Sequence, residues 1–494
     1  MNILLVYPEF PDTFWSFKHA LKFIHKKASS PPLGLLTVAA MLPAEWDKRL
    51  VDMNVRPLRP ADLDWADMVW ISAMVVQRDS VLDVIERCQQ KQKKIVAGGP
   101  LFTCESSRFS MVDHLILNEA EITLPPFLAD LAADSPQRVY ATSEFADMHQ
   151  TPTPLWNLID MREYDSLSIQ FTRGCPFNCE FCNVTALLGH RVRTKTTRQI
   201  IAELDQMYSL GWRRNIFFVD DNFIGNRRLL KEEILPALIE WRKNKTGCRF
   251  ITEASINLAD DEELMDLMVR AGFVSVFVGI ETPDENSLAE CHKMQNKNRN
   301  LVESVRQLQR KGLQVMGGFI VGFDNDTPSI FQRQIEFIQN SGIITAMVGL
   351  LQAPNGTQLY QRMKAEGRLI EEMTGDNTDG TTNIVPLMDQ KLLHNGYRSI
   401  LATIYSPKMF YQRVRTFLKE YHLPPVDLHL EPAEIGAFFR SIWLLGIWGP
   451  ERREYWRLFF WTLFHCPQKF PLAITFSIYG YHFRRVSQIQ GLSA

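Results

Sequence analysis

Over the first 135 residues, short apolar runs alternate with amphipathic stretches. The runs at 3–7, 49–52, 68–73, 94–97 and 114–117 are four to six residues long, as buried strands are, and 80–90 repeats its apolar positions at helical spacing. This alternation predicts a doubly wound parallel sheet whose ligand lies beyond the carboxyl ends of the strands. The pattern lapses over 136–165, where Pro136, Pro152 and Pro154 mark a linker. It resumes with strand-like runs at 167–171, 215–219, 249–254, 275–280, 314–321 and 346–351, separated by helical stretches at 198–208, 231–242, 260–270, 301–310 and 330–339. Six βα units predict a partial (β/α)6 barrel over 166–355, with reactive groups at the strand carboxyl ends. Past Pro354-Asn-Gly-Thr357 the rhythm stops, and 356–494 reads as a mainly helical domain.

Several strand ends carry distinctive residues. In the first sheet they are Met74 and Val75 after the third run, and Gly98-Gly99-Pro100 after the fourth, where missing side chains would let a large flat ligand approach the backbone. A tight strand-to-helix turn would need the same glycines. In the barrel they are Asp220-Asp221-Asn222, Glu253, Gly279-Ile-Glu281 and Gly322-Phe-Asp324. Asp and Asn at such places are also ordinary turn formers and helix caps, the reading preferred for Asp284.

The strongest chemical signal is Cys175-Pro-Phe-Asn-Cys179-Glu-Phe-Cys182. One short loop offers three thiolates, so a 4Fe-4S cube held there keeps one iron open to a non-protein ligand. Structural zinc would want a fourth ligand nearby, and none is supplied. The other five cysteines, Cys88, Cys104, Cys248, Cys291 and Cys466, are scattered singly and do not form a disulfide framework. The chain has 494 residues, 46% of them hydrophobic, and a formal net charge of -2, which gives no general pull toward nucleic acid. The N-terminus reads as a first strand and not as a signal peptide, and no charge-free stretch approaches a membrane span. An oxygen-sensitive cluster with free thiols points to the cytoplasm.

The cysteine segment resembles the signature of the radical S-adenosylmethionine (radical SAM) enzymes, with Phe181 as the aromatic before the third cysteine. The resemblance implies that Cys175, Cys179 and Cys182 hold the cluster, that SAM binds the open iron and is cleaved to a 5′-deoxyadenosyl radical, and that Phe181 lies near the adenine. It also places Gly279 and Glu281 against SAM, Asp221 and Glu253 on its amine and ribose, and Arg191 and Arg193 on a carboxylate or propionate. A Rossmann-like domain over 1–135 with Gly-Gly-Pro after its fourth strand, together with Pro32-Leu-Gly-Leu35, resembles the cobalamin-binding subclass. Met74, Val75, Gly98, Gly99 and Pro100 would then line the cobalamin site. No DxHxxG motif occurs, and His19, His25, His114 and His149 lack that setting, so cobalamin is expected without an axial histidine. The same absence would mark a domain that has lost cobalamin.

Residues 401–494 hold 20 of the 54 aromatic rings, with 11 Lys or Arg against 6 Asp or Glu. A helical cap burying these rings explains the composition, and an apolar substrate chamber or a membrane-facing surface explains it too. The extension resembles those of carbon-methylating enzymes that act on hopanoids and on bacteriochlorophyll substituents. The expected function is methylation of an unactivated carbon in a largely apolar small molecule, a lipid or tetrapyrrole, with a flavodoxin- or ferredoxin-type electron donor and possible peripheral membrane contact. Two alternatives stay open. One is a radical oxidase, cyclase or rearrangement enzyme without methyl transfer, and the other is a cobalamin-binding regulatory protein with a structural cluster. No residue is assigned to the catalytic step itself.

Overall fold

The computed structural model describes residues 1–370, 373–424 and 432–491. Six strands, β1 (Asn2–Tyr7), β2 (Asp47–Asp52), β3 (Met68–Ser72), β4 (Lys94–Gly98), β5 (His114–Ile116) and β6 (Val139–Tyr140), form a parallel sheet in the order β2-β1-β3-β4-β5-β6. Side chains alternate between two cores. Ile3 and Leu5 face one side with Leu35 and Phe127, while Leu4 and Val6 face the other with Ile85 and Phe102. Burial on both faces explains the nearly continuous apolar runs. Strand order reverses between β1 and β3, which sets the ligand-binding crevice of such sheets beyond Tyr7 and Ser72.

The stretch 136–165 is only partly a linker. Val139–Tyr140 joins the sheet as β6, and the Tyr140 hydroxyl donates to Asp130 at 2.7 Å. The remainder is tied down as well: the Leu155 amide bonds the Leu36 carbonyl at 3.1 Å, and the Gln199 side-chain amide donates to the carbonyls of Met148, His149 and Thr151. A two-residue strand among prolines has no periodicity to reveal it.

The second sheet contains β7 (Ser166–Ile169), β10 (Asn215–Phe218), β11 (Arg249–Glu253), β12 (Phe273–Glu281), β13 (Gln314–Val321) and β14 (Ala346–Leu350), all parallel, in the order β14-β13-β12-β11-β10-β7. The end strands β14 and β7 do not pair, so this is an open six-unit barrel. Between β7 and β10 the short β8 (Thr172–Arg173) and β9 (Arg193–Thr194) form an antiparallel ribbon.

The helices after residue 385 share one apolar core with the barrel. Those at Gln390–Ile404 and Pro407–Glu420 pack on the barrel helix Ser329–Ser341, and the Tyr405 hydroxyl donates to the Ala346 carbonyl on edge strand β14 at 2.7 Å. The last helix, Phe470–Ile489, reaches the loop after β1, where the rings of Phe483 and Phe14 stack at 4.4 Å. His482 lies beside them, fully buried, with Nε2 3.0 Å from the Phe14 carbonyl. Burial depresses this imidazole to about 4, the bond to Phe14 opposing, nearby His19 adding and Asp12 opposing. An unfolded polypeptide takes up that proton near pH 6.5. The stability that neutral His482 contributes is therefore complete above pH 6.5 and is lost as pH falls from 6.5 to about 4, about 3 kcal/mol in all. Thermal unfolding of a His482→Gln variant, which keeps a donor for Phe14, should lose this part of the pH slope.

Candidate active site

The backbone leaves β7 and is pinched at the base of the β8–β9 ribbon. Gly174 has φ +89°, and a Cβ there would meet the carbonyls of Arg191, Gly189 and Leu188 at 2.6–3.1 Å, so only glycine closes this neck. The Cys175 amide bonds the Gly189 carbonyl at 3.2 Å, and the Cys182 amide bonds that of Cys179 at 3.1 Å. The resulting loop presents Cys175, Cys179 and Cys182 to a single cavity of about 190 Å³. Three thiolates from one short loop facing one cavity are a donor set that fits a cluster with one open iron, whereas structural zinc would ask for a fourth ligand.

The loop is clamped on three sides. The buried Asp220 carboxylate, at the end of β10, accepts the amides of Phe171 and Thr172 leading into it. Within the motif, Glu180 takes a two-pronged bond from Arg362, Nε to Oε1 at 2.7 Å and Nη2 to Oε2 at 3.0 Å, and Arg362 also reaches Asp324 at 2.8 Å. On the third side Arg173 and Arg193 bind Glu119 and Glu121, which follow β5 of the first sheet, at 2.7–3.0 Å. Arg193 is thereby engaged in an inter-sheet ion network and is not a free SAM or propionate contact; Arg191 is exposed.

Arg362 acts through geometry. Arg362→Ala should leave the cluster able to form but lost several-fold faster to a chelator, because a planar fork holding both Glu180 oxygens restrains the loop as a point charge cannot. Arg362→Lys should recover only part of that lifetime. Following the iron–sulfur absorbance after chelator addition measures it.

Besides the cysteines, the cavity is lined by Phe181, Asp221, Glu253, Gly279, Glu281 and Lys293 among others. The β12–β13 register shifts between Gly279 and Glu281, and Glu281 has φ +63°, a strained backbone for a side-chain-bearing residue. This turns the buried Glu281 carboxylate onto Lys293, whose Nζ donates at 2.8 Å. A Cβ on Gly279 would collide with both partners, which is why glycine stands there. Burial works against the Lys293 ammonium, but Glu281 and then Cys179 hold its pKa above the ordinary lysine value. Burial, then the charges of Asp221 and Asp220, push Glu253 up to about 8. One ammonium on one side and carboxyls on the other suit a zwitterionic amino-acid ligand such as the methionine part of SAM.

The first-sheet residues gather at its carboxyl edge. Met74 is 46% exposed, and Val75 starts the turn Val75–Gln77. A Cβ on Gly98 would meet the Ile116 carbonyl at 2.6 Å, and one on Gly99 (φ +90°) the Ser72 hydroxyl at 2.5 Å. Packing between strands requires this pair whatever lies above it. Pro100 opens the helix Pro100–Glu105 at a position that needs no N–H donor. Asn355, Gln358 and Gly375 link this edge to the cysteine loop: Asn355 Nδ2 donates to the Cys104 carbonyl and Gln358 Nε2 to Asn178, each at 2.8 Å, and the Gly375 backbone lies on Val75 and Val76. The edge offers backbone and apolar contacts, which fit a large flat corrin ring; the His114 ring is engaged on the Gln137 carbonyl and His19 on Asp12.

Trp15, from the loop after β1, is edge-on to Phe277 of the cavity wall at 5.4 Å, with its indole N–H on the Met347 sulfur of β14 at 3.0 Å. Sequence reasoning missed Trp15, Lys293 and Arg362, and listed Asp220 among the polar strand ends without a role of its own. Glu180 was the one readable signal, since a carboxylate between two cluster cysteines has to find a cation.

Family profiles match the protein as B12 binding domain over 24–128, Radical SAM superfamily over 169–338 and Domain of unknown function (DUF4070) over 357–492. An uncharacterized methyltransferase, sll1242, of Synechocystis sp. is 40% identical over 99% of this chain and 92% of its own length. Hopanoid C-2 methylase of Rhodopseudomonas palustris is 35% identical over 92% of this chain and 88% of its own. Among solved structures, the cobalamin-dependent S-adenosylmethionine radical enzyme OxsB shares the fold at TM-score 0.62 and 14% identity, over 99% of this chain and 80% of that one. With a three-cysteine loop clamped to a doubly wound sheet and relatives matching nearly end to end, the protein belongs to the cobalamin-binding radical SAM enzymes, whose cofactors are a 4Fe-4S cluster, S-adenosylmethionine and cobalamin.

Proposed function

We propose that the protein methylates an unactivated carbon of a largely apolar small molecule, a polycyclic lipid such as a hopanoid or a tetrapyrrole. The observation that supports this reading is the link made by Asn355, Gln358 and Gly375 between the first sheet's carboxyl edge and the cysteine loop. When bound, the cluster with SAM supplies hydrogen abstraction and cobalamin supplies the methyl group. The protein's own residues do the positioning. Cys175, Cys179 and Cys182 hold the cluster, Lys293 faces the SAM carboxylate, Asp221 and Glu253 face its amine and ribose, and Phe181 flanks the adenine with Gly279 and Glu281 shaping the wall. Met74, Val75, Gly98, Gly99 and Pro100 form the cobalamin floor. Trp15, Phe277 and Met347 give the substrate an apolar surface and exclude water. A flavodoxin- or ferredoxin-type protein delivers the electron in this reading.

Among the described residues no helix is long and apolar enough to cross a membrane, so any membrane contact in this reading is peripheral. The test is anaerobic turnover of the reconstituted protein with cobalamin, reductant, methyl-labelled SAM and a hopanoid. A product heavier by one labelled methylene is the expected result. Ring closure or loss of hydrogen without label would replace methyl transfer by the oxidase or cyclase reading, and absence of SAM cleavage would favour a binding protein.

A further inference from the structure

The C-terminal helices bury Tyr405, Phe410, Phe417, Tyr455, Phe476 and Phe483, yet they leave another set of large apolar side chains in the open. On the helix Pro432–Ser441 and its continuation, Ile435, Phe439, Trp443 and Ile447 recur every four residues, and all are 47–63% exposed. The continuation Ile442–Trp448 is wound as a π-helix, whose wider turn brings residues five apart onto one side. Leu444 and Trp448 thereby join the stripe, with Trp448 69% exposed and its ring 6.1 Å from that of Trp443.

The next helix, Arg452–His465, extends the same face. Phe438 and Phe459 stack at 6.3 Å between the two helices, and their sequence neighbours Phe439 and Phe460 turn outward from that contact. Leu463 and Phe464 follow, the latter 76% exposed. So large a continuous apolar face turned toward water marks an interaction site.

The charges around it identify the partner. Arg452, Arg453 and Arg457 are exposed at the start of the second helix. Of the acidic residues here, Glu434 keeps 30% of its side chain exposed but pairs with Arg249 at 3.9 Å, Glu454, only 19% exposed, pairs with Arg457, and Glu451, just before the second helix, is buried on Arg484. Two copies of this protein meeting through the same face would bring one basic rim onto another, which opposes self-association. Indole rings and guanidinium groups beside aliphatic side chains match the boundary between acyl chains and anionic headgroups.

We infer that the two helices over 432–465 seat the enzyme on an anionic lipid bilayer, Trp443, Trp448 and Phe464 entering the acyl boundary while the Arg452–Arg453 end meets the headgroups. This deepens the peripheral membrane contact of the functional reading by naming the face that makes it. Vesicle binding needs no turnover, so its failure and the failure of methyl transfer are seen separately.

The test is flotation of the reconstituted full-length protein with vesicles of phosphatidylcholine alone or mixed with phosphatidylglycerol. The wild-type protein should float with the mixed vesicles, and less so as salt rises from about 0.1 to about 1 M. Trp443→Ser with Trp448→Ser should weaken binding about tenfold or more at an unchanged melting temperature. Arg452→Glu with Arg453→Glu should abolish the preference for phosphatidylglycerol. If the tryptophan pair fails to fold, Leu463→Ser with Phe464→Ser at the far end carries the same expectation. Equal flotation of wild type and variants, or no flotation of the wild type, overturns the proposal. So does a wild-type dimer that the tryptophan variant converts to monomer, which would give the face to a second copy.

Discussion

Replacing Cys175, Cys179 and Cys182 together by alanine is expected to remove the iron–sulfur absorbance and to cut 5′-deoxyadenosine formation to background, while the apoprotein melts where the wild-type apoprotein does. The loss should exceed the ~10–100-fold that removal of an outer-shell partner costs, since in the proposed function these are the cluster's own ligands. The fold is spared because the loop is shaped by other groups: the neck at Gly174, the Asp220 carboxylate on the Phe171 and Thr172 amides, and the Arg362 fork on Glu180. Burial holds the metal-free Cys182 thiol up at about 12, so it stands in the cavity as a neutral group whose removal leaves no charge stranded. Iron content, absorbance and thermal unfolding measured on one preparation check all three points. A variant that keeps its iron and cleaves SAM at the normal rate would overturn the site.

The second large effect concerns Lys293. Lys293→Met leaves the Glu281 carboxylate buried without its cation, and breaking such a pair costs about 3–5 kcal/mol. Adding Glu281→Gln should restore most of that stability, because the stranded charge is gone. It should not restore SAM binding. A charge-assisted contact to the SAM carboxylate is worth about 1.5–3 kcal/mol, so both variants should bind SAM roughly ten- to a hundredfold more weakly. Calorimetric titration with SAM alongside thermal unfolding separates the two roles. Recovery of both properties in the double variant would reduce Lys293 to a structural counter-ion.

Much of the architecture was legible because buried parallel strands announce themselves as short apolar runs: Leu4 to Val6 and Val276 to Ile280 are read correctly from composition alone. The cysteine loop was legible because its chemistry depends on spacing within eight residues. What escaped depends on contacts between distant parts of the sequence. Lys293 lies twelve residues past Glu281 in a segment without pattern, and only the strained turn at Glu281 brings the two together. Arg193 carried the right charge for a ligand contact but was already taken by Glu119, 74 residues earlier. The Gly98-Gly99 pair reads as room for a flat cofactor, and the fold adds a second reason for it, since the Ile116 carbonyl and the Ser72 hydroxyl already fill the places their side chains would need. In the C-terminal helices the excess of aromatic rings was plain. Which of them face outward was not, because the π-wound stretch after Ser441 departs from the 3.6-residue period on which any such forecast rests.

The bond between Glu180 and Arg362 also orders events in time. Its partners are 182 residues apart, so a ribosome adding about 5–20 residues per second exposes the three thiols on the order of ten to forty seconds before the guanidinium that steadies their loop is made. Metal loading during synthesis would meet an unclamped loop. A cluster inserted that early is expected to be lost several-fold faster, and polypeptides released before residue 362 should hold their iron less well than the finished protein.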